Sequence, residues 1–120
     1  MYCLDTYVLW EINFGNDKFS KFLTEDFVIT DWTATEFYRG LLKEYNKQTA
    51  DYWLNRLKPN SRSVNINVLI RAVIFQHTNK KTNMSLFDAV GYIFSLENDL
   101  KFVTGDKEFE HREGVEFIKK

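Results

Sequence analysis

Leu100-Lys-Phe-Val-Thr-Gly-Asp-Lys-Glu-Phe109 is the stretch on which the fold turns. A short apolar and β-branched run ends at Thr104-Gly105, and an acid, Asp106, follows at once. This reads as a strand that stops at a turn, with a carboxylate just past its C-terminal end. The beginning of the chain repeats the pattern. Met1-Tyr-Cys-Leu4 is an apolar run closed by Asp5-Thr6, after which Val8, Leu9 and Ile12 fall at helical spacing up to Gly15-Asn16. Open parallel sheets place their ligand crevice at the carboxyl ends of the strands, so Asp5 and Asp106 are candidates for one site.

Working outward, Asp17 to Leu23 is amphipathic and leads into Phe27-Val-Ile-Thr30, short enough for a buried strand. Helices are predicted from Thr33 to Tyr45 and from Gln48 to Lys58, the second closed by Pro59. Residues 59–63 read as a loop. Ile66, Leu69, Ile70, Val73 and Ile74 recur at i, i+3, i+4, i+7 and i+8, as do Leu86, Ala89, Val90, Ile93 and Phe94, and both sets predict core-facing helices. Residues 78–83 form a polar turn, and Val115 to Ile118 a last short strand. Strands separated by helices, with no tight hairpin signal, indicate an α/β fold with a parallel sheet.

Composition bounds the possibilities. With 120 residues, the chain is expected to form a single domain over 1–120, and 44% hydrophobic with 28% charged residues excludes a disordered chain. The lone cysteine, Cys3, has no internal disulfide partner and reads as a core residue. No charged and apolar leader pattern opens the chain, and no apolar run approaches the roughly 18 residues of a membrane span. A cytoplasmic location is the expectation.

Two further acids complete the set. Glu36 lies near the start of the helix after the second strand, and Asp88 near the start of the helix before the Leu100 strand. Each of the four has a structural explanation: Thr33-Ala-Thr-Glu36 and Ser85-Leu-Phe-Asp88 match a capping box, and Asp5 and Asp106 could be N-caps. Together, however, they map to one sheet edge. Clustered carboxylates raise one another's pKa unless a cation is present, and Mg²⁺ or Mn²⁺ suits oxygen ligands and phosphate alike. Such a site can orient and activate a water against a phosphodiester. Thr6 and Thr104 stand beside the acids and could hold a metal-bound water or a carboxylate in place, or serve as turn hydroxyls.

Asp5-Thr-Tyr-Val-Leu9, Thr35-Glu-Phe37, Ser85-Leu-Phe-Asp-Ala89, Val103-Thr-Gly-Asp-Lys-Glu-Phe109 and Gly114-Val-Glu-Phe-Ile118 together resemble a PIN domain, most closely the stand-alone VapC-type toxins of prokaryotic toxin–antitoxin pairs. The resemblance runs along essentially the whole chain, and Thr-Gly-Asp-x-x-Phe is its most specific part. It implies a three-layer α/β/α sandwich with a short, mainly parallel sheet, and a Mg²⁺- or Mn²⁺-dependent endoribonuclease. It also implies a homodimer inhibited by a cognate antitoxin. The family's catalytic and metal-binding acids fall on Asp5, Glu36, Asp88 and Asp106. Tyr7 departs from the pattern, standing where the family usually has a small residue, and the segment from Lys47 to Ser63 matches no motif.

The near-neutral total, −1, hides a segregation. Residues 1–38 hold seven acids and two Lys/Arg, residues 39–81 two and nine, and residues 82–120 eight and five, so the segments carry −5, +7 and −3. The basic middle interleaves cations with Tyr38, Tyr45, Tyr52 and Trp53, a composition suited to single-stranded RNA. Arg39, Lys43 and Lys47 are expected to share one helix row near Glu36 and to contact phosphate, with solvated helix faces as the alternative. His77 reads as a helix-end residue, His111 as part of a polar segment, and the mechanism requires neither. Tyr7 with Trp10, or Tyr52 with Trp53, could serve a dimer or antitoxin interface. Two other readings compete with the nuclease. One is a non-catalytic PIN-like RNA- or protein-binding module. The other is a flavodoxin-like phosphoacceptor domain, which lacks here its acidic pair after the first strand and its acceptor Asp.

Overall fold

Five parallel strands form one sheet in the computed structural model, which describes residues 1–119. They are β1 (Tyr2–Leu4), β2 (Phe27–Thr30), β3 (Ser61–Arg62), β4 (Lys101–Thr104) and β5 (Val115–Phe117), in the order β3-β2-β1-β4-β5. β1 is therefore central, with Cys3 paired to Val28 on one side and to Phe102 on the other. Alternation along the strands feeds two cores. Leu4, Ile29 and Val103 face one layer, and Cys3, Val28 and Phe102 face the other. Because both faces are covered, the strands read as continuous apolar runs.

The first layer holds α1 (Thr6–Asn13), the single turn α2 (Asp17–Ser20), α3 (Asp31–Glu44) and α4 (Lys47–Leu57), packed around Phe19, Phe22, Phe37 and Trp53. The second holds α5 (Ile66–Thr78) and α6 (Leu86–Glu97), packed through Ala72, Met84, Ala89, Val90, Tyr92 and Phe94. The result is a PIN-like α/β/α sandwich. Four helices start on the same device: the side chains of Thr30, Asn46, Asn65 and Ser85 each accept a hydrogen bond from the backbone N–H three residues on. Among the described residues no helix is long and apolar enough to cross a membrane. Cys3 is buried as a free thiol, and burial pushes its pKa up to about 12.

Three sequence expectations change. The segment 59–63 is not only a loop, because Ser61 and Arg62 pair with Ile29 and Thr30 as the edge strand β3. Two residues carry no periodicity that a pattern could reveal. The α3 helix begins at Asp31 rather than Thr33, since Thr30 is its cap, and the proposed Thr33–Glu36 capping box does not form. On α5, four of the five residues expected to face the core point outward, Ile66, Ile70, Val73 and Ile74 being 66%, 51%, 46% and 59% exposed, while Leu69 packs against the core as expected. The inward row is Val68, Ala72 and half-buried Phe75. A helix apolar on nearly every side has no single stripe, and the small Ala72 lets this row approach α6.

Candidate active site

At the carboxyl edge of the sheet lies a cavity of about 650 Å³ whose lining includes Asp5, Glu36, Asp88 and Asp106. The elements explain the convergence. Asp5 follows β1, Asp106 follows β4 by one residue, and Glu36 and Asp88 project from α3 and α6. The cavity also takes in Tyr7 and Trp10 from α1, Arg39, Gly40 and Lys43 from α3, and Lys107.

Hydrogen bonds separate the capping roles from the others. Asp5 holds the N-cap position of α1, yet its side chain caps nothing. It is 4% exposed, and its Oδ2 accepts the Thr104 hydroxyl at 2.7 Å. Glu36 likewise caps no helix, and its Oε1 accepts from Thr6 Oγ1 at 2.5 Å. Asp88 is spent twice. Ser85 Oγ accepts from the Asp88 backbone N–H at 3.1 Å, and the Asp88 carboxylate accepts in return from Ser85, which completes the capping box. Asp106 Oδ1 accepts from the Glu108 N–H at 3.0 Å and caps the 3₁₀ turn Lys107–Phe109.

The electrostatics run against ionisation. Burial and then the neighbouring Asp88 raise the pKa of Asp5 well above the ordinary carboxylate range, while the Thr104 hydroxyl pulls it part of the way back. Asp88 stands near enough to Asp5 for each carboxyl to bear on the ionisation of the other. Burial also raises Asp88 and Glu36, and Arg39 partly offsets the rise at Glu36. None of the ion pairs among the described residues involves these four acids. Nor, among the described residues, do three His, Cys, Asp or Glu side chains draw together closely enough to hold a metal ion by themselves. No all-protein cage is preformed among these acids, so a cation placed here would have to keep several waters.

The basic row is divided. Arg39 and Lys43 line the cavity, but α3 ends at Glu44 and Lys47 opens α4, where its Nζ pairs with Asp51 at 2.6 Å. Lys47 therefore does not extend the row, because the Tyr45-Asn46 break turns the chain before it. Other cations of the middle segment are also engaged: Arg71 pairs with Glu97 at 2.6 Å, and Arg56 lies over the Trp53 ring. Lys107 takes a place in the lining that charge counting did not assign, although its position directly after Asp106 was the available signal. His77 is exposed in the last turn of α5, and His111 is exposed outside the lining.

Two glycines set the walls. A Cβ at Gly40 would lie 2.6 Å from Trp10 Cζ2, so the bare backbone lets the indole lie against α3. A Cβ at Gly105 would lie 2.6 Å from Tyr7 Cζ and 2.8 Å from the Ile118 carbonyl oxygen. Gly105 thus seats Tyr7 at the cavity mouth.

Solved structures that superpose on the chain include toxins and toxin–antitoxin complexes. A toxin–antitoxin complex from Klebsiella pneumoniae superposes with a TM-score of 0.79 at 20% identity, each chain covered in full. The chain has the fold of VapC toxins. Mycobacterium tuberculosis VapC20, a Sarcin-Ricin loop cleaving toxin, matches with a TM-score of 0.78 at 15% identity, over 100% of this chain and 98% of that one. Rickettsia felis VapBC2, solved bound to a DNA fragment from its promoter, gives 0.73 at 17% identity over 99% and 98%. No protein-family model matches the chain, and no curated protein matches it by sequence.

Proposed function

We propose that this VapC-like chain is a metal-dependent endoribonuclease that hydrolyses RNA phosphodiester bonds in the cytoplasm, as the toxin of a toxin–antitoxin pair. The observation that carries the reading is the cavity in which Asp5, Glu36, Asp88 and Asp106 meet Arg39, Lys43 and Lys107. Buried Asp5 and half-buried Glu36, Asp88 and Asp106, none of them in an ion pair, call for a cation, and the basic rim offers a place for a polyanion.

Asp5, Glu36, Asp88 and Asp106 would hold Mg²⁺ or Mn²⁺, with water completing the coordination. When bound, the ion supplies positive charge to the phosphate and makes water a better nucleophile. The protein's part is positioning. Thr104 and Thr6 fix the carboxylates of Asp5 and Glu36, Arg39 and Lys43 orient the phosphodiester, and Tyr7 narrows the mouth.

The partner half of the reading rests on two supports. Neighbours of the same fold were solved as toxin–antitoxin complexes, which supports a cognate antitoxin here. The outward stripe of α5 supports a homodimer. Ile66 to Ile74 spans about 12 Å of helix, and its exposed side chains form a patch on the order of 400 Å², about half of what each side of a stable interface contributes. A two-fold axis through Ile70 would place the same apolar patch on both copies.

Purified protein is expected to cleave RNA with Mn²⁺ or Mg²⁺ and to stop with EDTA, with Asp5→Asn and with Asp106→Asn. Cleavage that survives both substitutions would remove these residues from the site. The open spacing of the acids favours one competing reading, a non-catalytic RNA- or protein-binding module. That reading gains if RNA stays intact with every metal while binding depends on Arg39 and Lys43.

A further inference from the structure

Beside the carboxylate cavity runs a second groove of about 300 Å³, lined by Trp10, Phe14, Glu44 and Tyr45. Trp10 is its shared wall, since the same indole also lines the larger cavity. Phe14, 62% exposed, stacks on Trp10 with ring centroids 5.7 Å apart and an interplanar angle of 28°. Trp10 is anchored from behind by an edge contact to buried Phe37 at 5.1 Å and by the bare backbone of Gly40. Tyr45, 47% exposed, has its hydroxyl held by Asn13 Nδ2 at 3.0 Å. A folded chain gains nothing by holding large aromatic faces in water, and these are fixed rather than loose.

We propose that Trp10, Phe14 and Tyr45 form a stacking shelf for an unpaired nucleobase of the RNA next to the scissile phosphate, and that Glu44 reads an amino group on that base. The inference deepens the nuclease reading and rests on it. Its support is the order of groups along α3: Arg39 and Lys43 belong to the cavity, and Glu44 and Tyr45 belong to the groove. Cationic side chains on α3 thus lead to Tyr45 at its C-cap, where Trp10 of α1 and Phe14 at the end of that helix add two more aromatic faces, and such a succession suits a single strand without duplex geometry. A carboxylate accepts from the N4 amino group of cytosine and finds no such donor on uracil. A duplex end keeps its bases stacked and cannot use the shelf.

The experiment measures affinity for fluorescein-labelled oligocytidine and oligouridine octaribonucleotides in EDTA and in Ca²⁺, beside cleavage in Mn²⁺. Wild-type protein is expected to prefer oligocytidine. Phe14→Ala, at a position outside the core, is expected to lose about 5- to 150-fold in affinity, the range seen when a base-stacking aromatic is truncated. Phe14→Trp should restore binding, Glu44→Ala, which removes the acceptor, should erase the cytidine preference, and affinity for a duplex of equal length should not move. A wild-type protein that cleaves RNA while Phe14→Ala matches it in affinity and kcat/KM overturns the shelf and leaves the nuclease standing. A protein that neither binds nor cleaves RNA overturns both. If Phe14→Ala weakens only the grip of an antitoxin, the shelf belongs to a protein partner and the proposal fails.

Discussion

The Thr104 hydroxyl joins two acids that are 101 positions apart in the chain: it donates to Asp5 Oδ2 at 2.7 Å and accepts from the Asp106 backbone N–H at 3.0 Å. Thr104 is fully buried at the end of β4, so neither bond can be replaced by bulk water. Thr104→Val keeps the shape and removes both bonds. It is expected to lower stability by about 1–3 kcal/mol in urea unfolding, and to lower metal-dependent cleavage by roughly 10- to 100-fold. Thr104→Ser, which keeps the hydroxyl, should recover most of the activity, and a Val variant as active as wild type would deny the bond any role in the site.

Asp5→Asn should separate stability from activity. The substitution removes a buried charge that the metal-free protein tolerates poorly, so in EDTA at mildly alkaline pH the Tm should rise by several degrees, as about 1 kcal/mol produces in a domain of this size. Cleavage should fall by about 100-fold or more. A variant that melts earlier than wild type under these conditions would show that the Asp5 carboxylate supports the fold.

The same groups set a pH dependence, and its sign is fixed. Burial raises the folded-state pKa of Asp5, Asp88 and Glu36 above the unfolded values, so between the two the folded chain holds more protons than the unfolded one. Metal-free stability must then fall as pH rises from the ordinary carboxylate range through the raised pKa values, and level off above them. Millimolar Mg²⁺ should flatten that decline, because a bound cation favours the ionised acids. Urea midpoints across pH, with and without metal, check both statements.

Gly105→Ala tests the wall of the mouth. The added methyl would meet the Tyr7 ring, which can shift, and the Ile118 carbonyl oxygen at 2.8 Å, which belongs to backbone. A loss of about 1–3 kcal/mol in thermal or urea unfolding is expected, together with reduced cleavage.

Ile70→Lys places a charge in the centre of the exposed α5 stripe without touching the core. Sedimentation equilibrium should show a wild-type dimer and a variant monomer, each with the same helix content by circular dichroism. A variant that stays dimeric would move the interface elsewhere.

Legibility followed the length of the pattern. Cys3 and Phe102 stood out because strands covered on both faces are apolar throughout, and Asp5 and Asp106 stood out because each closes such a run. The α5 helix was found from its periodicity, but its orientation was not, since Ile70 and Ala72 are both apolar and only packing against α6 decides between them. β3 is two residues long and has no signature. Lys47 was placed in the wrong row because the i, i+4 spacing from Lys43 runs across the gap between the two predicted helices, where Asn46 caps the second and turns the chain. Among the acids, spacing offered a capping box to Glu36 and Asp88 and an N-cap to Asp5 and Asp106, and hydrogen bonds alone distinguish Asp88 and Asp106, which cap, from Asp5 and Glu36, which do not.

The central place of β1 has a consequence in time. Asp5 is synthesised ahead of the groups that surround it, which come from positions 36, 88 and 104–106. At roughly 5–20 residues per second, some 5–20 s separate the synthesis of the first acid from that of the last. During that interval no nascent chain contains the cavity, so the four acids come together only after the last of them has been made.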